Sequence, residues 1–278
     1  MTVCSIVIPT HNRPAYLRRI LTYFNQYGKE FRIIVADSSL DENKKRNKEI
    51  ISSLPELNIL YINNYPSDIY PYTKIANAID YVDTKYCVIC ADDDFLTPNG
   101  INQSVDFLEK NPEFTIAQGY NIPFWLETNK ENKPVFCWTP IHLCESITFP
   151  DVVSRFLFYF SESPFATFYC VHRTFFLKMI FKETVKFTDE VRFGESLVDM
   201  LTVIYGKMKR LDVLYSARDA GSISGKWPNI LDLKKDRIYD ERYARFKECS
   251  ATHLSKNSQL SIEESKDLID KAMSNYIK

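Results

Sequence analysis

Three consecutive carboxylates, Asp92-Asp93-Asp94, directly follow the apolar run Tyr86-Cys87-Val88-Ile89-Cys90-Ala91. Like charges ~4 Å apart repel by roughly 4 kcal/mol per pair at an effective dielectric of about 20. Such a cluster is tolerated in two ways: as a solvated acidic turn ahead of a helix opening at Pro98, or around a divalent cation. Hard carboxylate oxygens suit Mg2+ or Mn2+, which one or two carboxylates hold together with substrate phosphates. On the triplet alone both readings stand. Cys87 and Cys90 have redox spacing, but they fall inside the same apolar run, away from any helix N-terminus that would lower a thiol pKa. They are expected to be buried packing residues. His142-x-Cys144 and Cys170-x-His172 could together form a zinc site, although the spacing is weak and buried cysteine is common.

The elements that must position these groups alternate in type. Val3–Ile8 is a short unbroken apolar run ending at Pro9, which suits a buried strand. Pro14 opens a helical pattern with Leu17, Ile20, Leu21 and Phe24 at helix spacing, closed near Gly28. Further strands are expected at 31–36, 57–62, 86–91 and 114–118, and helices at 41–52, 72–82 and 98–109. Strand and helix in alternation predict βαβ units and a mostly parallel sheet, and ligands of such sheets bind beyond the carboxyl ends of the strands. Residues 9–13, 37–39 and 92–94 then share one edge. Residues 121–150 show no clear period. Beyond them the pattern predicts an aromatic helix over 149–160, a strand over 165–171, a helix over 195–207 and a strand over 210–215. The chain is highly charged from Pro228, and Ser261-Ile262-Glu263-Glu264 is a capping box before a terminal amphipathic helix.

Composition narrows the function. The 278 residues are 45% hydrophobic and 26% charged, enough to bury a sizeable core. Gly is scarce, at 7, and neither G-x-G-x-x-G nor G-x-x-x-x-G-K-[ST] occurs, which excludes those two ways of holding a nucleotide. A net charge of −1 gives no basic surplus for nucleic acid. No apolar run reaches bilayer length. The amino terminus lacks a basic region and a cleavage site, so no signal peptide is expected. Seven cysteines without framework spacing point to a reducing cytosol.

Asp92-Asp93-Asp94-Phe95-Leu96-Thr97-Pro98 after an apolar strand resembles the metal-binding motif of glycosyltransferases with the GT-A fold. Ile6-Val7-Ile8-Pro9-Thr10-His11-Asn12-Arg13 resembles the opening strand and loop of family 2 of those enzymes. Asp37-Ser38-Ser39 falls where that family has an acidic segment, and Lys74-Ile75-Ala76-Asn77 resembles its K-x-x-N element. The four segments occur in the family's order and cover about residues 3–120. The resemblance implies an α/β GT-A fold: a Rossmann-like, mostly parallel central sheet with flanking helices, an aromatic acceptor-side half and a C-terminal helical tail. It divides the chain into a nucleotide-sugar-binding half (1–120), an acceptor half of the same domain (121–227) and the tail (228–278).

The same resemblance implies roles. Pro9, Thr10, His11, Asn12 and Arg13 would cradle the nucleotide, Asp37 and Ser38 would meet base or ribose, and Lys74 and Asn77 would join the donor site. Asp92 would contact ribose. Asp93 and Asp94 would hold Mn2+ or Mg2+, either being the direct ligand, and the metal would stabilise the departing diphosphate. Arg218 or Lys226 would close on that diphosphate. The family takes its base from an E-D pair at a helix start; here the text is Gly194-Glu195-Ser196-Leu197-Val198-Asp199, with Ser196 in place of the Asp. Glu195, at the helix start, or Asp199, on the same helix face, is the expected base. The implied activity is inverting transfer of a sugar from a nucleotide diphosphate sugar to a saccharide, lipid-linked or other hydroxyl acceptor, in polysaccharide or glycoconjugate assembly. UDP is the commonest nucleotide of such enzymes. The altered pair leaves an alternative, a weak or inactive GT-A module that binds a sugar or a partner. The expected setting is the cytoplasm, with peripheral contact at the inner membrane face left open. The aromatic run Phe156–Phe160, with Trp125 and Trp138, would form core, acceptor walls or a membrane-facing surface.

Overall fold

The computed structural model describes residues 3–129, 131–139, 145–161, 167–221, 234–235 and 237–276. Its centre is a nine-stranded sheet in the order β3-β2-β1-β4-β8-β6-β9-β5, with β7 paired to β6. The strands are β1 (Cys4–Thr10), β2 (Arg32–Asp37), β3 (Asn58–Ile62), β4 (Tyr86–Ile89), β5 (Phe95–Leu96), β6 (Phe114–Thr128), β7 (Pro134–Trp138), β8 (Val171–Arg173) and β9 (Lys207–Asp219). β1 pairs in parallel with β2 and β4, β2 with β3, and β6 with β9. β8, β5 and β7 run the other way. The sheet is therefore mostly parallel in direction, with β8 inserted between β4 and β6.

Helices cover both faces because alternate strand residues point to opposite sides. Ile6 and Ile8 of β1 join Ile33 and Val35 of β2 in one apolar cluster. There they meet Leu17, Ile20, Leu21 and Phe24 of α1 (Pro14–Tyr27), Ile50 of α2 (Asp41–Ser52), and Ile101 and Leu108 of α4 (Pro98–Lys110). Val7, Ile34 and Ala36 face the other cluster. It takes in Ile75 and Ile79 of α3 (Pro71–Asp80) and the buried faces of α5 (Val152–Ser161), α6 (Thr174–Phe187) and α7 (Val191–Tyr205). The last two helices, α8 (Tyr239–Lys256) and α9 (Ile262–Tyr276), bury Phe246, Leu254, Ile269 and Met273 in the same cluster. The capping box forms as expected: Glu264 Oε2 accepts from the Ser261 amide at 2.8 Å, and Ser261 Oγ from the Glu264 amide at 3.2 Å.

Three expectations change. Residues 121–128 continue β6, which returns as the β6–β7 hairpin. Register shifts near Gln118, Tyr120 and Asn121 interrupt the alternation by which a strand is read. The strand expected over 165–171 is instead a 3-10 turn, Thr167–Tyr169, and then β8, with 165 itself outside the described residues. The helix expected from Glu195 begins at Val191, four residues earlier, because the Glu190 carboxylate accepts from the Phe193 amide and caps it. The helix α6 shows no clear punctuation in sequence and was not expected. Among the described residues, no helix is long and apolar enough to cross a membrane.

Candidate functional site

The carboxyl ends of β1, β2 and β4 deliver three loops to one cleft. Asn12 takes a left-handed conformation, φ 54°, which asparagine tolerates better than most residues. Its amide donates to Ser39 Oγ (2.7 Å) and its Oδ1 accepts from the Leu40 amide (2.8 Å), tying the loop after β1 to the loop after β2. His11 Nδ1 lies 2.9 Å from the Ser38 carbonyl. Pro14 then starts α1, as its fixed φ allows at a first helical position. Across the cleft, the turn after β4 is closed by the Asp94 amide donating to the Ala91 carbonyl at 3.2 Å. The cleft has a volume of about 910 Å³, and Pro9, Thr10, His11, Arg13, Ser38, Lys74, Asp92, Asp93, Asp94, Tyr169, Arg218 and Asp219 line it.

All three aspartates are buried, so the solvated-turn reading fails. Their charge is met by arginine. Arg13 reaches Asp92 Oδ1 with Nη1 and Asp93 Oδ2 with Nη2, both at 2.8 Å. Thr10 Oγ1 donates to Asp92 Oδ2 at 2.7 Å. Asp94 accepts from Arg218 Nε (3.2 Å) and from the Asp219 amide (2.9 Å). Burial raises the Asp92 carboxyl to about 6, against the pull of Thr10 and Arg13, and raises Asp94 as well, against Arg218. Lys74 Nζ donates to the Thr10 carbonyl and Ser38 Oγ, each at 2.8 Å. Burial lowers its ammonium to about 8, partly offset by Asp37 and Asp92. The guanidinium of Arg218 lies 4.2 Å from the centre of the Tyr169 ring.

Several expected residues sit elsewhere or do something else. Asn77 is exposed and lines a separate depression with Ile62, Asn64 and Tyr65. Asp37 is fully buried and spent inward. It accepts from the Ser39 amide (2.8 Å), Asn47 Nδ2 (2.8 Å) and the Tyr61 hydroxyl (2.6 Å), which shapes the loop that presents Ser38. Asp199 is buried too, and its Oδ1 accepts from both the amide and the hydroxyl of Thr167 at 2.7 Å. Burial, reinforced by the charge of Glu195, raises its carboxyl to about 8. Glu195 is half-buried in the second turn of α7, not at its start, and pairs with Arg192 at 3.2 Å. Its charge is felt at Tyr169 and Arg218 on the cleft wall. Lys226, His142 and Cys144 lie outside the described residues. Cys87 and Cys90 are buried free thiols, and burial raises both. His172 is buried with Nε2 2.9 Å from the Thr167 carbonyl, and burial lowers it to about 4.

Two residues that build the cleft carry no sequence signal of their own. Arg19, two turns along α1, reaches Asp219 Oδ2 (3.0 Å) and the Asp93 carbonyl (2.6 Å), so it locks the turn after β4 to the end of β9. Tyr169 is supplied by the 3-10 turn that was read as strand.

The model of glycosyl transferase family 2 matches residues 5–184. That is well over half of the chain, and the protein belongs to this family of glycosyltransferases. No curated protein sequence matches the chain. Among solved structures, the chain resembles S. aureus TarS 1–349 in complex with UDP-GlcNAc, at a TM-score of 0.62 and 14% identity, over 98% of this chain and 72% of that one. The same S. aureus fragment with UDP gives a TM-score of 0.58 at 14% identity, over 97% and 70%. The longer S. aureus TarS structure gives 0.59 at 12% identity over 99% of this chain, which spans only 43% of that protein. These likenesses show the GT-A fold.

Proposed function

We propose that this protein is an inverting glycosyltransferase that moves a sugar from a UDP-linked donor to a hydroxyl acceptor in polysaccharide or glycoconjugate assembly. One observation carries the reading: three buried carboxylates and three cations, Arg13, Lys74 and Arg218, line a single cleft beyond the carboxyl ends of parallel strands. A nucleotide diphosphate needs that combination, cations for its phosphates and carboxylates for a metal and hydroxyls. The UDP and UDP-GlcNAc complexes of the TarS fragment support the choice of nucleotide.

The carboxylate oxygens are the hard donors that Mn2+ or Mg2+ takes. Asp93 and Asp94 would hold such an ion, which would supply Lewis-acid stabilisation of the leaving diphosphate. Arg13 and Arg218 already sit on the oxygens of these aspartates, and on binding they are free to turn to the phosphates. Lys74 holds the Thr10 and Ser38 loops together and adds positive charge at the cleft floor. Glu195 is the base that takes the proton of the acceptor hydroxyl. It remains partly exposed and its charge is felt at Tyr169 and Arg218, whereas Asp199 is committed to Thr167. The acceptor is a saccharide or lipid-linked hydroxyl, and the exposed hairpin residues Phe136 and Trp138 offer it, or the inner membrane face, an apolar surface.

Calorimetry with UDP-GlcNAc and UDP, with and without Mn2+, tests the donor and the metal. Binding is expected to require Mn2+ and to vanish in Asp93→Ala or Asp94→Ala; unchanged UDP affinity in both variants would sink the metal assignment. Glu195→Gln is expected to keep nucleotide affinity and lower transfer by about 10²–10⁴-fold. Ser196, in place of the family's Asp, favours a second reading, a sugar-binding module without turnover. Donor binding with no UDP release in the presence of candidate acceptors would establish that one.

A further inference from the structure

Away from the donor cleft, three side chains of different chemistry converge between two helices. Glu183 stands on α6, and Cys249 and His253 stand one turn apart on the same face of α8. One carboxylate oxygen, the Cys249 sulfur and a His253 ring nitrogen all lie within 4.8 Å of one another. The His253 Nε2 to Glu183 Oε2 distance is 3.6 Å, which is within ion-pair range but long for a hydrogen bond. That separation also falls in the range of a ligand set: metal–ligand bonds of about 2.0–2.3 Å at tetrahedral angles put ligand atoms roughly 3.3–3.7 Å apart.

We propose that Glu183, Cys249 and His253 bind a zinc ion that staples α6 to α8. One thiolate, one imidazole and one carboxylate are the donors that zinc takes, with water in the fourth position. The second shell is in place. His253 Nδ1 lies 2.5 Å from the Tyr205 hydroxyl at the end of α7, which fixes the ring with Nε2 toward Glu183. Metal binding selects the tautomer in which Nδ1–H donates to Tyr205 oxygen and Nε2 offers its lone pair. It also releases the thiol proton of Cys249 to solvent. Cys249 is buried, while Glu183 and His253 are partly exposed. Lys186 Nζ lies 4.0 Å from the same Glu183 oxygen and is mostly exposed.

Cobalt titration of the full chain reads the site directly, because a thiolate ligand gives a charge-transfer band that carboxylate oxygens do not. One equivalent of Co2+ is expected to produce that band, with tetrahedral ligand-field absorption, in the wild type and equally in Asp94→Ala. Zinc is expected to bleach the band and raise Tm. Cys249→Ala, which keeps a small apolar group in the core, is expected to lose both effects. Tyr205→Phe is expected to weaken cobalt binding by about 10–100-fold, as loss of a second-shell partner does. No band in the wild type, or an undiminished band in Cys249→Ala, overturns the site.

Discussion

At Asp92–Asp94, the decisive feature is which cation stands in the cluster. Arg13 bridges Asp92 and Asp93, so a divalent ion bound there would contend with this guanidinium for the same oxygens. A charge-assisted bond contributes about 1.5–3 kcal/mol, and Arg13→Gln is therefore expected to raise Mn2+ affinity without nucleotide by roughly tenfold or more. Electron paramagnetic titration of free Mn2+ measures this, and an unchanged affinity would show that Arg13 does not compete. Asp199 makes the opposite kind of prediction. Its carboxyl titrates at about 8 when folded and at about 3.9 when unfolded. Between those values the folded state holds a proton that the unfolded chain has lost. The stability this group contributes is therefore present at low pH and is lost as pH rises through 8. Asp199→Asn keeps an oxygen for Thr167, so melting curves from pH 4 to 8 are expected to fall less steeply than in the wild type, with activity retained. Asp199→Ala leaves the Thr167 amide and hydroxyl without that acceptor and is expected to cost about 1–3 kcal/mol. Abolished transfer in a folded Asp199→Asn would return the role of base to Asp199.

Among the elements, β6 and β9 bear the greatest constraint, because their ends place Arg218 and Asp219 against Asp94. Gly119 lies at the register shift between Gln118 and Tyr120. A Cβ there would sit 2.1 Å from the Val213 carbonyl oxygen. Gly119→Ala must move β9 and is expected to destabilise by about 1–3 kcal/mol, and with β9 to shift Arg218 away from Asp94. Thermal melting and UDP affinity should fall together; a normal Tm would mean that the strands have room to part. The strand and helix alternation of residues 3–118 was legible because each element keeps one period between clear punctuation. Beyond Gln118 the bulges of β6 and the aromatic density of 121–160 erase that period. The Thr167–Tyr169 turn is formed largely by a partner distant in sequence, Asp199.

For the molecule as a whole, the last two helices are part of the core. Phe246, Leu254, Ile269 and Met273 are buried with residues of α6 and α7, and at about 1.5–3 kcal/mol per fully buried side chain they stabilise the fold by up to about 6–12 kcal/mol. That approaches the whole stability of a typical domain. A chain ending at residue 236 is therefore expected to lose cooperative unfolding and to aggregate. A soluble, sharply melting truncation would refute this view of the helices.

The sequence by itself determined the family, the parallel half of the sheet and the edge where the donor loops meet. Those depend on local apolar periods and on short motifs whose strands set their own ends. Only the tertiary structure decided which of the marked residues share the cleft. Asp37 and Asp199 have the right chemistry, but each accepts buried hydrogen bonds from neighbours, and Asn77 lines a separate depression. Arg19 and Tyr169 carry no motif and arrive from elements far apart in the chain. A carboxylate or guanidinium acts through the atoms within about 3 Å of it, and packing, not sequence spacing, sets those.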